Sequence, residues 1–329
     1  MEIQDKVELC FPHLLNTSCR KPTLHWFEAV LLNILLSSIS VITVVLNLLV
    51  IISVSHFRQL HTPTNILLLS LAMSDFLVGL LLMPVEIFRK TNCWIFGDAL
   101  CSLYCYVCVN IICASIGNIV LISIDRCVAI CYPMHYPNRI TVSRVQISVC
   151  VCWLYSAFYS SFYVKDVLIQ PDSTKFCFGE CVLAIDYITG TIDFVLNFII
   201  PVTVIIVLYL IIFVVAVSQA RAMRSHVTAV TVQISLTLTR KKSELKAART
   251  LGVLVVVYLI CYCPYYFYVA FEDNVISNAS GSAVVFFIYF NSCLNPVIYA
   301  LFYPWFRNSV KHIVTLRILK PDSCEANIL

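Results

Sequence analysis

The sequence predicts an all-α membrane protein: a seven-transmembrane-helix bundle followed by a short amphipathic eighth helix. Three observations carry that prediction. Of the 329 residues, 60% are hydrophobic and only 12% are charged, whereas a soluble domain holds roughly 25% charged residues. Seven apolar runs recur, near 27–55, 64–88, 98–132, 145–166, 185–218, 245–271 and 281–303. Each is long enough to cross a hydrocarbon core about 30 Å thick. The segments between them are short, so little chain remains for a soluble domain.

The first run follows an N-terminal segment, 1–26, whose opening from Met1 to Glu8 is charged. No cleavable signal peptide is expected there, and the first span serves as the signal. The second run contains Asp75. The third, CSLYCYVCVNIICASIGNIVLISIDRCVAIC, is the natural centre of the bundle. From Cys101 to Arg126 it spans ~38 Å at 1.5 Å per residue. Its small residues Cys113, Ala114, Ser115 and Gly117 let neighbouring helices approach closely. The fourth run carries Trp153. Pro201, Pro264 and Pro296 punctuate the fifth, sixth and seventh, where kinks are tolerated if neighbours satisfy the freed carbonyls. After Tyr303, the apolar Trp305, Phe306, Val310 and Ile313 are interleaved with Arg307 and Lys311, the pattern of a helix lying on the membrane surface. The chain thus divides into 1–26, a membrane domain over 27–303, and a surface helix with tail over 304–329.

Charge sets the expected orientation. Fifteen of the 22 Lys and Arg residues fall on the side of Arg126 and seven on the other. The positive-inside rule then puts the N-terminus outside and the C-terminus in the cytoplasm. Two glycosylation sequons, Asn16-Thr17-Ser18 and Asn278-Ala279-Ser280, fall in segments assigned outside. So do Cys10, Cys19, Cys101, Cys177 and Cys181, where disulfides form. Spacing leaves their pairing open, and Cys101–Cys177 is among the options.

Several function classes are excluded. No basic run is interleaved with aromatics as on a nucleic-acid surface, so nucleic acid is not a partner. The short soluble segments hold no nucleophile–base pair and no metal-ligand cluster, so an enzyme is not expected. A channel or transporter needs a line of intramembrane polar groups, and only two intramembrane charges are expected, Asp75 and Asp193. Asp193 lies in ITGTIDFVLNFIIP, two turns before Pro201. A carboxylate at that depth costs at least ~2.5 kcal/mol unless it faces protein or water, which marks a functional site. The plainer account is an acid satisfied by hydroxyls such as Thr189. A second acid, Asp186, stands seven residues earlier on the same predicted helical face.

Seven spans with Asp125-Arg126-Cys127 closing the third resemble a rhodopsin-like G-protein-coupled receptor. Asn47, Leu71-Ala72-Met73-Ser74-Asp75, Trp153, Pro201 with Tyr209, Cys261-Tyr262-Cys263-Pro264 and Asn295-Pro296-Val297-Ile298-Tyr299 all agree with that pattern. The run Asn291-Ser292-Cys293-Leu294-Asn295-Pro296-Val297-Ile298-Tyr299-Ala300-Leu301-Phe302-Tyr303-Pro304-Trp305-Phe306 is similar to the span-seven fingerprint of the trace amine-associated receptors, the olfactory amine receptors. Two positions depart from the pattern. Tyr262 replaces the usual tryptophan of the activation toggle, and Cys108 stands where an amine-anchoring aspartate is expected. Asp193 instead resembles the fish-specific branch of the family.

The resemblance implies a receptor for volatile or biogenic amines that signals through a stimulatory or olfactory G protein to cyclic AMP, in the plasma membrane of olfactory sensory neurons. It implies an ammonium anchored at Asp193, with Cys108, Tyr265, Tyr266, Tyr289, Thr189 and Asp186 about it. It implies a switch of Asp125, Arg126, Tyr209, Glu244, Tyr262, Asn295, Pro296 and Tyr299, and an allosteric sodium ion among Asp75, Ser115, Asn291 and Asn295. It also implies the pairings Cys101–Cys181 and Cys19–Cys177. The basic stretch between the fifth and sixth runs suits G protein or anionic lipid. A retinal receptor is excluded, since no lysine lies between Gly281 and Tyr303. A receptor for a neurotransmitter-type amine remains the competing reading, and Cys108 argues against it.

Overall fold

The computed structural model describes residues 8–14, 17–21, 26–165, 177–182, 186–226, 252–269, 279–321 and 323–328. Asn16, Glu244, Asn278 and most of the basic stretch before the sixth span lie outside the described residues. Among those described, seven helices are long and apolar enough to cross a membrane. In lipid every backbone polar group must be paired within the segment or with its neighbours, so long apolar runs become helices.

The helices are α1 (Trp26–His56), α2 (Pro63–Thr91), α3 (Gly97–Cys131), α4 (Val142–Tyr163), α5 from Tyr187 through to His226, α6 (Gly252–Val269) and α7 (Ala279–Phe302). The surface helix α8 follows at Pro304–Val314. Local chemistry sets the starts. Thr62 caps α2 by accepting from the Asn65 N–H, with Pro63 in the first turn, and Thr141 caps α4 through the Arg144 N–H. Between α7 and α8 the Arg307 guanidinium donates to the carbonyls of Ala300 and Leu301 (2.9 and 3.2 Å), satisfying acceptors that the end of a helix leaves free.

Helix α3 is the hub, packed against α2, α4 and α5, while α1 packs on α2 and α7. Buried side chains tie the bundle laterally. Asn47 of α1 donates to the Ser292 carbonyl of α7 (3.0 Å), and Trp153 of α4 donates to Ser70 of α2 (3.1 Å). Outward, Leu154, Phe158 and Phe213 are exposed, the apolar belt that lipid covers. Two helices widen locally into a π turn: α2 over Val78–Leu82 and α5 over Phe194–Ile199. The second immediately precedes the Ile200-Pro201 pair. Pro201 has no N–H to give the preceding turn, and the helix relaxes there.

At the end of the bundle where α3 begins, three disulfides lace the loops: Cys10–Cys93, Cys19–Cys177 and Cys101–Cys181, with Cα atoms 5.7, 5.0 and 5.6 Å apart. Cys93 stood in no pairing expected from the sequence. Gly179 has φ +106, a left-handed conformation, and a Cβ there would lie 2.8 Å from the Cys10 Cβ. Its carbonyl accepts from the Trp94 N–H at 2.9 Å. The N-terminal segment is thereby pinned across the loops between α2 and α3 and between α4 and α5.

The close approach of α3 and α4 rests on Gly117, because a Cβ at that position would overlap the Cys152 sulfur. Overpacking of this kind costs roughly 1–3 kcal/mol. Gly117→Ala is therefore expected to lower the melting temperature of the detergent-purified protein by several degrees, and Cys152→Ala in the same chain to restore most of it. Equal melting of Gly117→Ala and wild type would show that the helices do not depend on this contact.

Candidate functional site

Toward the disulfide end, helices α2 to α7 and Val182 line a cavity of about 130 Å³. That approaches the size of an engineered protein cavity of about 150 Å³ that takes up benzene. Asp193 reaches it from α5, immediately before the π turn. Tyr159 of α4 donates its O–H to Asp193 Oδ1 (2.7 Å), and Asn197 donates Nδ2–H to the same oxygen (2.8 Å). Among the described residues no donor reaches Oδ2. The carboxylate is thus oriented by one oxygen and leaves the other for a ligand. Tyr159 is itself held in a stack with Tyr155 and Tyr163, ring centroids 6.1 and 5.8 Å away.

Tyr265, Tyr266, Tyr289 and Cys108 line the cavity. Tyr266 stacks on Phe198 at 4.5 Å and meets Tyr265 edge-on at 5.1 Å. The Cys108 sulfur and the Tyr289 hydroxyl are 3.4 Å apart. Phenol faces carry partial negative charge and attract cations.

Two sequence expectations are corrected. Asp186 is not a pocket wall. It is the N-cap of α5, exposed, with Oδ2 accepting from the N–H groups of Ile188 and Thr189 at 3.1 Å each. The Thr189 side chain first, and then these two N–H groups, hold its carboxyl below the ordinary aspartate pKa. The helical-face argument failed because Asp186 has extended backbone (ψ 155) and precedes the helix. Thr189 is buried but does not line the cavity; it belongs to that cap.

The count of intramembrane charges is also corrected. Glu86, 1% exposed, and Arg89 line the cavity from α2. Arg89 forks onto Glu86 through Nη2 to Oε1 (2.7 Å) and Nε to Oε2 (3.0 Å). Tyr104 donates its O–H to Oε2 (2.8 Å), and Arg89 Nη1 donates to the Cys181 carbonyl (2.6 Å). Sequence reasoning passed over both because they sit at the edge of an apolar run, where long charged side chains usually snorkel. Their i, i+3 spacing was the available signal. Likewise Asn197, at i+4 from Asp193, could have been read as its partner.

Deeper in the bundle, Asp75 is fully buried and accepts from Ser115 (3.3 Å) and from Asn295 Nδ2 (2.7 Å), with Ser74 and Ser115 hydroxyls 3.0 Å apart. The oxygens of Asp75, Ser74 and Ser115 are hard donors of the kind a small alkali cation accepts. Asn295 presents its N–H₂ to Asp75, and Asn291 Nδ2 is buried with no hydrogen-bond partner among the described residues. Tyr299 on the same helix is buried with an unpartnered hydroxyl, beyond Pro296. Tyr262 is buried against Tyr258, centroids 4.6 Å apart.

At the far end of α3, Asp125 and Arg126 form an ion pair at 2.6 Å. Thr64 and Tyr136 donate to the two oxygens of Asp125 (2.9 and 2.8 Å), and the Arg126 guanidinium also bonds Thr64. Arg126 is therefore held within its own helix and by α2. Tyr209 of α5 packs its ring on Gly252 of α6, where no side chain intervenes.

A membrane bundle with a small cavity near one end and a restrained arginine at the other is the build of a transmembrane signalling receptor. The family model described as 7 transmembrane receptor (rhodopsin family) matches residues 46–299. Trace amine-associated receptor 13c of Danio rerio is 36% identical over 98% of this chain and 97% of its own length. Trace amine-associated receptor 6 of Homo sapiens is 38% identical over 98% and 96% respectively. Trace amine-associated receptor 1 of Mus musculus is 37% identical over 89% and 91%. The chain belongs to the trace amine-associated receptors of the rhodopsin family. It is a multi-pass plasma-membrane receptor, not an enzyme, and its family implies a small-molecule ligand and a heterotrimeric G protein as partners.

Proposed function

We propose that this protein is a receptor for a small amine, bound in its ammonium form at Asp193, and that it signals through a stimulatory or olfactory G protein to cyclic AMP. The observation that carries the reading is Asp193, which lines a phenol-walled cavity with one carboxylate oxygen fixed by Tyr159 and Asn197 and the other taking no bond from them. An ammonium meeting that oxygen away from water forms a charge-assisted hydrogen bond, stronger than a neutral one. Tyr265 and Tyr266 add cation–π attraction from the α6 wall. Cys108 gives α3 no anion, which disfavours a neurotransmitter-type pose anchored on that helix.

The coupling runs along α5. Asp193 sits above the π turn and Pro201, and Tyr209 meets α6 below them. Drawing the Asp193 turn toward a ligand biases the α5–α6 contact, and release of Arg126 from Asp125 and Thr64 exposes a cation for the G protein. Asn295, Pro296, Tyr299 and Tyr262 connect the two levels. Sodium held by Asp75 with Ser74 and Ser115 would neutralise the one acid in that layer. The N-terminus lies outside the cell on this reading, supported by the excess of Lys and Arg at the Arg126 end and by three disulfides at the other. Olfactory sensory neurons are the expected site, and the basic stretch before α6 contacts lipid or G protein.

The test is a cyclic-AMP reporter assay with aliphatic and aromatic amines, each paired with a neutral isostere. Responses are expected to the amines alone, and to fade as the medium is raised past each amine's pKa, because the unprotonated form cannot pair with Asp193. Equal potency for an amine and its neutral isostere would refute the proposal.

A further inference from the structure

The cavity has polar lining residues besides Asp193. Asp193 enters from α5 and the Glu86–Arg89 pair from α2, and α3 packs against both helices. The acceptor count on Glu86 is informative. A carboxylate has about four lone-pair sites. Oε2 uses two, for Arg89 Nε and Tyr104. Oε1 uses one, for Arg89 Nη2. One acceptor site on Oε1 therefore remains. On Arg89, Nε–H and one N–H of Nη2 go to Glu86, and one N–H of Nη1 goes to the Cys181 carbonyl. One N–H on each terminal nitrogen has no bond to these partners. A single buried, formally neutral pair thus offers an acceptor and donors side by side.

A hydroxyl is the group that matches. It donates once and accepts, so it can meet Glu86 and Arg89 together, and it brings no charge. A second ammonium fits less well. It would place two cations about one carboxylate in a low-dielectric cavity, leaving an uncompensated positive charge. We propose that the Glu86–Arg89 pair is a recognition subsite for a neutral hydroxyl at the far end of the ligand, so that the preferred ligands are hydroxyl-bearing monoamines, aliphatic or phenolic. This rests on the reading of Asp193 as the ammonium anchor and adds the polarity of the other end. Without such a subsite a hydroxyl loses. Buried among apolar groups it would weaken binding by about tenfold or more relative to a methyl.

The experiment compares a homologous series of ω-amino alcohols with the matching n-alkylamines and α,ω-diamines, as dose–response curves on surface-matched cells. In the wild type, the best amino alcohol is expected to be about tenfold more potent than the alkylamine of equal length, because hydrogen bonds to charged groups exceed neutral ones. The diamine of equal length is expected to fall below the alcohol. Glu86→Leu with Arg89→Met removes both charges together, and there the alcohol and the alkylamine are compared with each other, so that a general loss of potency from the altered pocket wall cancels. The alcohol's advantage should vanish there. Alkylamines equal to or better than alcohols at every length in the wild type would overturn the inference while leaving the Asp193 anchor standing. So would an alcohol preference that survives in the double variant. No response to any amine would refute the anchor and the subsite together, and the wild-type comparison decides the matter even if the double variant does not fold.

Discussion

Asp193→Asn is expected to reach the cell surface in near-normal amounts and to lose amine potency by about two orders of magnitude or more. The substitution keeps the shape, and the Asn side-chain oxygen can still accept from Tyr159 and Asn197, which now bond Oδ1. What it removes is the charge, and it puts an N–H₂ in place of Oδ2. Truncating one partner of a buried, hydrogen-bonded charge pair costs about 2–5 kcal/mol, or roughly 30- to several-thousand-fold in potency. Asp193→Ala should be as inactive. Tyr159→Phe serves as the graded control. It removes one of two donors to Oδ1, loosening the carboxylate without discharging it, and should cost about three- to tenfold. Dose–response curves normalised to surface receptor decide the matter. An Asn variant with wild-type potency would show that the ligand does not use this acid.

The architecture was readable in the sequence because lipid is an unforgiving solvent. A span must be apolar for about 20 residues, and the helices found, such as Gly97–Cys131 for an expected 98–132, follow the apolar runs closely. Asp193 was conspicuous for the same reason, as an acid in the middle of such a run. Its partners were less so. Tyr159 is one of several aromatic residues in α4, and only the folded bundle brings its hydroxyl to Oδ1 on α5. Glu86 and Arg89 were hidden by position. Near a helix end a charge normally escapes to water, and the sequence does not say that α2 turns these two inward beneath the loop holding Cys181. Asp186 failed in the opposite sense: periodicity was extended one residue past the start of α5, onto a cap. Cys93 could not be assigned because its partner, Cys10, lies 83 residues away in a segment without periodic structure.

Loss of the Cys101–Cys181 bridge is expected to have the second large effect, on folding before signalling. It closes a separation of 80 residues, with Cys181 1% exposed and Cys101 8%. Removing a native disulfide typically costs about 2–5 kcal/mol. Here the damage extends inward, since the Cys181 carbonyl receives Arg89 and Val182 lines the cavity. Cys101→Ser and Cys181→Ser should each reduce surface receptor about tenfold or more, and the double variant should be no worse than either, because a bridge once broken cannot be broken again. Cys19→Ser and Cys177→Ser should behave as a second matched set, and Cys10→Ser and Cys93→Ser as a third. These last two bridges tie the N-terminal segment to the loops rather than α3 to the pocket wall, so their effects on surface amount should be smaller. Surface labelling of the single and double variants measures all three sets. Peptide mapping by mass spectrometry without reduction then identifies the bonds directly. A peptide joining Cys101 to Cys177, or single variants of one pair whose losses add in the double, would mean that the loops are laced differently and that Arg89 is not held by the Cys181 carbonyl in the cell.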